Sequence, residues 1–327
     1  MINRTLSCFT GKRILVTGAS GYLATNLIHS LKNIDCTIVR LSRDKKLFPV
    51  EDIAKLTDIA GDIRRKEIWR HALENVDIVY HFAAQTSVYV ADQRPMADLE
   101  ANAVPMLNLL EISRVMKMQP IIIFSGTVTE AGIPKSVPVN ESHIDYPVTI
   151  YDLHKLMAEN YVKYYSQQGN VKGTILRLPN VYGPGPKSSS SDRGIINMMM
   201  RKALAGETLT VYGKGDCLRD YVYVDDVISA FLNAAIHIEK LNGKHFIIGS
   251  GEGHTIAQAI NLVADRVALK TGKQRVPVKH IEPSSIQSPI EARNFVADTR
   301  QFSLITGWRS RYSLVDGIDR TLDTLSI

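Results

Sequence analysis

The chain of 327 residues has only three cysteines, Cys8, Cys36 and Cys217. They are scattered and odd in number, so neither a disulfide framework nor a zinc or other metal site is expected, and a reducing, cytoplasmic setting is. Nowhere does an apolar run approach the roughly 18–20 residues that a membrane span needs. Met1 to Thr10 contain no long apolar stretch and no small-residue cleavage site, so no signal peptide is expected. Lys/Arg-rich tracts are lacking too. The formal charge of +6 is spread along the chain, and without a recognition motif it speaks against nucleic acid. A mildly cationic surface remains, some of which suits phosphate-bearing small ligands. There are no internal repeats and no disordered tail. The length fits one large α/β domain or a domain with a smaller lobe.

What is present is an alternation. Arg13–Thr17, Cys36–Leu41, Val76–His81, Pro120–Phe124 and Thr174–Leu178 read as short buried strands, separated by helical patterns such as Gly21–Leu31. That order implies right-handed βαβ units and a parallel sheet. A long helix is expected from Ile150 toward Tyr165, with Leu153, Leu156, Met157 and Tyr161 on its apolar side. After Pro179 the texture changes: residues 181–191 are rich in turn formers and end in the serine run Ser188–Ser191. The chain is therefore divided at 1–179 and 180–327, the second part a smaller, interleaved lobe of which a piece returns to the first sheet.

Directly after the first strand comes Thr17-Gly18-Ala19-Ser20-Gly21-Tyr22-Leu23-Ala24. Gly18 permits a tight turn, Gly21 lets backbone approach a pyrophosphate, and Ala24 lets helix and strand pack closely. The pyrophosphate is expected on the helix N-terminus, with Gly18, Ser20, Gly21, Tyr22 and Leu23 around the cofactor. The second strand leads to Ser42-Arg43, and no carboxylate follows until Asp44. A carboxylate there binds a ribose 2′-hydroxyl and repels a 2′-phosphate, whereas Arg can bind the phosphate. The reading favours NADP over NAD; the alternative is that Arg40 and Arg43 are solvated loop charges. Gly61-Asp62-Ile63 lies where the next strand ends, and Asp62 is placed to accept from the adenine amino group.

Tyr151-Asp152-Leu153-His154-Lys155 puts Tyr and Lys on one helix face. A phenol ordinarily titrates near 10, and a neighbouring ammonium lowers that value by stabilising the phenolate. Tyr151 can then exchange a proton with a sugar hydroxyl, with Lys155 also reaching the nicotinamide ribose. The third partner is sought at the end of the strand leading to Phe124-Ser125-Gly126-Thr127-Val128-Thr129. Thr127 is the choice and Ser125 the reserve, the alternative being that these hydroxyls cap the strand end.

These residues, with His81-Phe82-Ala83-Ala84, Asn102, the run Arg177 to Pro184 (RLPNVYGP) and the run Leu218 to Asp226 (LRDYVYVDD), resemble the extended short-chain dehydrogenase/reductases, in their branch of nucleotide-sugar epimerases, dehydratases and ketoreductases. The likeness covers nearly the whole chain. It implies a doubly wound Rossmann sheet with a smaller C-terminal substrate lobe, Ala83 and Ala84 at the cofactor, Asn180 and Thr127 at the substrate, Arg219 at a nucleotide diphosphate, and a homodimer built through helices. The alternative for Arg219-Asp220 is an internal ion pair. Departures from the family pattern narrow the reaction. The Asp-Glu pair that follows the catalytic Thr in 4,6-dehydratases is Val128-Thr129 here, no cysteine stands near that strand end, and the usual Ser before the catalytic Lys is His154. An Arg of the late loop has its nearest candidate in Arg293. The expected reaction is 4-epimerisation of a nucleotide-sugar through a transient 4-keto sugar, with no net redox change. The alternatives are an NADPH-dependent 4-ketoreductase and a non-enzymatic dinucleotide- or RNA-binding protein.

Overall fold

The computed structural model describes residues 6–43, 47, 53–186, 194–282 and 288–325. Ser188–Ser191 and Asp44 lie outside the described residues. Six strands follow in the first half: β1 (Arg13–Thr17), β2 (Thr37–Ser42), β3 (Lys55–Ala60), β4 (Ile78–His81), β5 (Ile121–Thr127) and β6 (Lys172–Leu178). The second half contributes β7 (Asn180–Tyr182), β8 (Leu209–Tyr212), β9 (Leu218–Tyr223), β10 (Lys244–Ile247), β11 (Gly253–Thr255) and β12 (Val278–Ile281). Seven of them form one parallel sheet in the order β10-β6-β5-β4-β1-β2-β3. The order reverses between β1 and β4, which is where an open α/β sheet leaves a crevice for ligands.

Alternation along the strands sorts the core into two layers. Ile14, Val16, Ile38, Tyr80 and Ile123 point into one cluster with Leu27 and Ile28 of helix Tyr22–Leu31 and with Val227 and Phe231 of helix Val224–Ile236. Their neighbours Leu15, Val39, Val79 and Ile122 point into the other, with Trp69, Leu109, Leu110, Ala158 and Val162. The first cluster runs on into the later part of the chain through Met199, Met200, Val263 and Ile318. There β9 pairs with β7 and β11, and β8 with β12. β10 leaves that region and joins the large sheet beside β6.

One expectation and one alternative are corrected. Helix Ile150–Gln167 turns its polar side inward: Tyr151, Asp152, His154, Lys155 and Glu159 are buried, while Leu153 and Met157 are 46% and 36% exposed. The buried polar groups have partners from other elements, which offsets the cost of their desolvation. Arg40 is no solvated loop charge. It sits in β2 opposite Asp58 of β3 and donates to that carboxylate at 2.6 and 2.8 Å.

Candidate active site

The tight turn after β1 is set by Gly18. Its φ of +66° favours glycine, and a Cβ there would stand 2.9 Å from the backbone N and Cα of Ala83. Thr17 binds the same neighbour: its Oγ accepts from the N–H groups of Phe82 and Ala83, both at 3.1 Å. It also lies 3.0 Å from His81 Nδ1. Burial and then the charge of Lys155 push the His81 imidazole down to about 3, so it is neutral at physiological pH. Helix Tyr22–Leu31 starts at Gly21 without a side-chain cap. The N–H groups of a first turn have no partner inside their helix and favour an anion. The turn therefore fits a pyrophosphate.

Beside it, Ser20 Oγ lies 3.3 Å from Ser42 Oγ, and Gly61 N donates to Ser42 O at 2.9 Å. The ends of β2 and β3 are thus held together, with exposed Arg43 on one and Asp62 on the other. The hydrogen bonds from Arg64 hold the Asp62 carboxyl below the usual range, so it is ionised and able to accept.

Across the crevice, Thr127 ends β5 and caps the short turn Val128–Ala131, in which Glu130 Oε1 accepts the Thr127 N–H at 3.1 Å. Thr149 caps helix Ile150–Gln167 by accepting the Asp152 N–H at 3.2 Å, and Tyr151 and Lys155 follow one turn apart. Lys155 Nζ donates to Ser125 O at 2.6 Å and stands 4.0 Å from the Phe124 ring centroid. The carbonyl of Ser125, the reserve hydroxyl, is thereby used to aim the ammonium.

One cavity of about 1120 Å³ takes in Gly18, Ser20, Gly21, Tyr22, Leu23, Ser42, Arg43, Asp62, Ile63, Ala83, Ala84, Ser125, Thr127, Tyr151, Lys155 and Asn180. Residues from seven separate stretches of chain therefore face one space. Arg219 lines an adjoining hollow of about 110 Å³ that also takes in Arg293 and shares Asn180 and Tyr221 with the first. Arg219 does not pair with Asp220, correcting that alternative. Successive strand residues point to opposite faces. Arg219 donates to the carbonyls of Arg293 and of Glu291 (2.7 Å), with the Glu291 carboxylate at 3.5 Å. Asp220 accepts from Ser250, Gly251 and Ala297.

A model of the NAD dependent epimerase/dehydratase family matches residues 14–249. The chain belongs to this family. Among relatives, a UDP-glucose 4-epimerase from Mycolicibacterium smegmatis is 26% identical over 317 residues, covering 95% of this chain and 97% of that one. A UDP-glucose 4-epimerase structure from Thermotoga maritima, with UDP-glucose, superposes with a TM-score of 0.84 at 28% identity, covering 96% of this chain and 98% of that chain. Another from Thermus thermophilus, complexed with NAD, gives 0.78 at 28% identity, covering 96% and 99%. The family is NAD(P)-dependent and acts on nucleotide sugars, and its Rossmann-like sheet is the one described above. No helix among the described residues is long and apolar enough to cross a membrane.

Asn197, Arg201 and Lys202 gave no signal in the sequence. Asn197, Arg201 and Lys202 reach the cavity from helix Ile195–Leu204, with Met198, whereas Met199 and Met200 are core. Behind the wall, Asp98 accepts from Gln85 at 2.7 Å and Asn102 at 2.9 Å and lies 2.8 Å from His154 Nδ1. That network ties the loop after β4 to the helix of Tyr151. It gives His154, the departure from the family's usual Ser, a partner.

Proposed function

We propose that this chain is a nucleotide-sugar 4-epimerase that keeps its dinucleotide bound and acts through a transient 4-keto sugar. The observation that carries the reading is the meeting of Thr127, Tyr151 and Lys155 in the same cavity as the glycine turn, with Arg219 and Arg293 in the adjoining hollow. Two guanidinium groups facing one hollow suit a diphosphate. The relatives named above, which are UDP-glucose 4-epimerases, support a UDP-hexose as the substrate to try first.

When bound, the nicotinamide dinucleotide supplies the acceptor and donor of hydride. Gly18, Ser20, Gly21, Tyr22 and Leu23 hold its pyrophosphate side, Ser42, Arg43, Asp62 and Ile63 its adenosine side, and Ala83, Ala84, Tyr151 and Lys155 its nicotinamide side. Tyr151 takes the proton of the sugar hydroxyl and later returns it; Lys155 favours the phenolate by its charge. Thr127 orients the sugar oxygen, Asn180 contacts the substrate, and Arg219 with Arg293 holds the diphosphate. NADP is favoured over NAD by Ser42-Arg43, because Arg43 lines the cavity where a 2′-phosphate would lie. A 4-ketoreductase is the second reading, and the same Arg43 favours it.

The chain is read as a Rossmann unit, 1–179, and a substrate lobe, 180–327, with β10 returned to the first. It is read as cytoplasmic and as a homodimer through the outward side of helix Ile150–Gln167, where Leu153, Met157 and Tyr164 are exposed. Light scattering measures that state. The test of the reaction is interconversion of UDP-glucose and UDP-galactose without net consumption of NAD(P)H, with mass spectrometry of the cofactor released on denaturation. Retained dinucleotide and interconversion support the epimerase. Empty protein that consumes NADPH on a 4-keto sugar selects the reductase. Tyr151→Phe is expected to keep cofactor binding and lose roughly 10²–10⁴-fold in turnover; undiminished turnover refutes the acid/base role.

A further inference from the structure

The segment from Ala84 to Ser87 lines the cavity and has no regular secondary structure, so its backbone groups need partners from elsewhere. Two side-chain amides supply them. Asn102 Oδ1 accepts the Gln85 N–H at 3.1 Å, and Asn102 Nδ2 donates to Gln85 O at 3.0 Å. The Gln85 side chain reaches on to Ser87: Nε2 donates to Ser87 O at 2.8 Å, and Oε1 accepts the Ser87 N–H in a short hydrogen bond. Ser87 in turn caps helix Val88–Gln93 by accepting the Val90 N–H at 3.3 Å.

These backbone groups settle which way each amide faces, since an N–H needs the amide oxygen and a carbonyl needs the amide nitrogen. Each amide nitrogen then has one hydrogen left. Both hydrogens go to one atom, Oδ1 of buried Asp98, from Gln85 at 2.7 Å and from Asn102 at 2.9 Å. The second oxygen of that carboxylate meets His154 Nδ1 at 2.8 Å. A carboxylate only accepts, so the imidazole N–H is the donor. His154 stands between Tyr151 and Lys155 in helix Ile150–Gln167. Tyr151 itself shares a buried cluster with Val88 and Ala91 of the helix that Ser87 caps. The connections form a closed circuit. It runs from Tyr151 along its own helix to His154, through Asp98 to the two amides and their loop, and back through Val88 and Ala91 to Tyr151.

We propose that His154 is a positioning residue that, through Asp98, holds the Ala84–Ser87 segment and so keeps Tyr151 in its place for proton transfer. The inference rests on the reading of Tyr151 as the acid/base group. His154 does not itself line the cavity. Its loss leaves the groups that grip the diphosphate and the dinucleotide in place, and lets the loop and the phenol shift. A displacement of about 1 Å at a reacting group can cost roughly 10²-fold in rate, while binding by groups elsewhere in the cavity is spared. The signature is a fall in kcat with KM kept.

The test compares two replacements of His154 in protein loaded with its dinucleotide and a UDP-sugar. The rate is also read in a single turnover, so that product release does not mask it. In His154→Asn the amide nitrogen stands where Nδ1 stood and keeps the bond to Asp98, and the rate is expected within about threefold of the unmodified chain. His154→Leu fills the space without a donor and is expected to lose roughly 10–100-fold in rate. Its KM for the UDP-sugar and its retained dinucleotide are expected to stay within about threefold. Rates are compared at a temperature at which thermal scans show every variant folded. If His154→Leu does not fold, His154→Gln takes its place, because its amide nitrogen stands where Nε2 stood and not where Nδ1 did. An undiminished rate in His154→Leu overturns the proposal, even if that variant melts early, since a merely structural role would show in melting alone. An equal loss in His154→Asn and His154→Leu overturns it too, as does a rise in KM with the rate kept. Failure of the unmodified chain to act on any UDP-sugar overturns the functional reading instead, and is seen before any variant is made.

Discussion

Glu130 is expected to be replaceable by Gln with a gain in stability that grows with pH. Its carboxyl is fully buried, with Oε2 3.0 Å from Arg177 Nε. The same guanidinium meets Glu159 at 2.6 Å and Asp145 at 2.5 Å, and Lys163 meets Glu159 at 2.5 Å. With all three carboxyls ionised, the cluster holds three negative charges against two positive. Burial, and then repulsion by Glu159, raise the Glu130 carboxyl well above its ordinary 4.5. One proton on Glu130 balances the charges. Arg177 holds Glu159 ionised against its own burial. A raised acid adds its stability below its unfolded value and loses it as pH rises, because the folded chain must keep a proton that the unfolded chain releases. While Glu130 stays protonated, that loss is about 1.4 kcal/mol per pH unit. Glutamine keeps the shape, the acceptor for the Thr127 N–H and a donor for Glu159, and has no proton to hold. The stability of Glu130→Gln relative to the unmodified chain should therefore widen as pH rises above the unfolded value, by at most about 1.4 kcal/mol per pH unit. Urea unfolding at several pH values measures it. A gap that does not change with pH, or that narrows, would show that Glu130 is charged in the fold and would refute the proton count.

Acid should act oppositely at His245. Burial pushes this imidazole down to about 4, so its stability is present above the unfolded value near 6.5 and is lost as pH falls. Relative to His245→Gln, the unmodified chain should lose about 1.4 kcal/mol per pH unit from 6.5 toward 5, read by the same unfolding series. Gly18→Ala should cost roughly 1–3 kcal/mol, from the positive φ and the crowding on Ala83, and should weaken dinucleotide binding in calorimetry. Unchanged binding would count against the pyrophosphate assignment. Arg43→Ala should weaken NADP binding by roughly 10–100-fold, the loss of one charge-assisted bond, and leave NAD binding nearly unchanged. Equal effects on both cofactors would remove the case for NADP.

The parts legible in the sequence are those whose cause is local. β1 was readable to its ends because five residues in a row are buried or nearly so and a glycine turn stops them. The glycine turn and the Tyr151/Lys155 pair were readable because one turn or one helix face contains the whole signal. What stayed hidden depends on partners far along the chain. The polar inner side of helix Ile150–Gln167 makes sense only once Asp98 stands by His154, Thr129 by Asp152, and Arg177 by Glu159. Without those partners the periodic residues Leu153 and Met157 look like the core face. The alternative for Arg40 stayed open for the same reason, since its partner Asp58 is set by the register of β2 on β3.

The arrangement of charge along the cavity bears on the stereochemistry that an epimerase needs. To receive hydride on either face, a keto sugar has to turn over while its nucleotide stays bound, so the enzyme must grip the diphosphate and not the ring. In the proposed reaction Arg219 would supply that grip: it is buried and held by the carbonyls of Glu291 and Arg293, so ordering it on a ligand would cost little further side-chain entropy. Arg293 is likewise buried and donates to Ile290 O at 2.8 Å. At the other end Thr127 on β5 and Tyr151 on the following helix line the same cavity, and in the proposed reaction they would meet the C4 oxygen whichever face the ring presents. The hollow that Arg219 and Arg293 line is apolar in part, through Val88, Ile195, Ile256 and Ile290, and carries Thr129, Asn180 and Tyr221 beside them. In the proposed reaction, a rigid anchor at the diphosphate and a directional wall at the C4 oxygen would leave the sugar free to turn about the bond to its diphosphate. That combination fits epimerisation better than one-way reduction, where a single face suffices and extra ring contacts would serve.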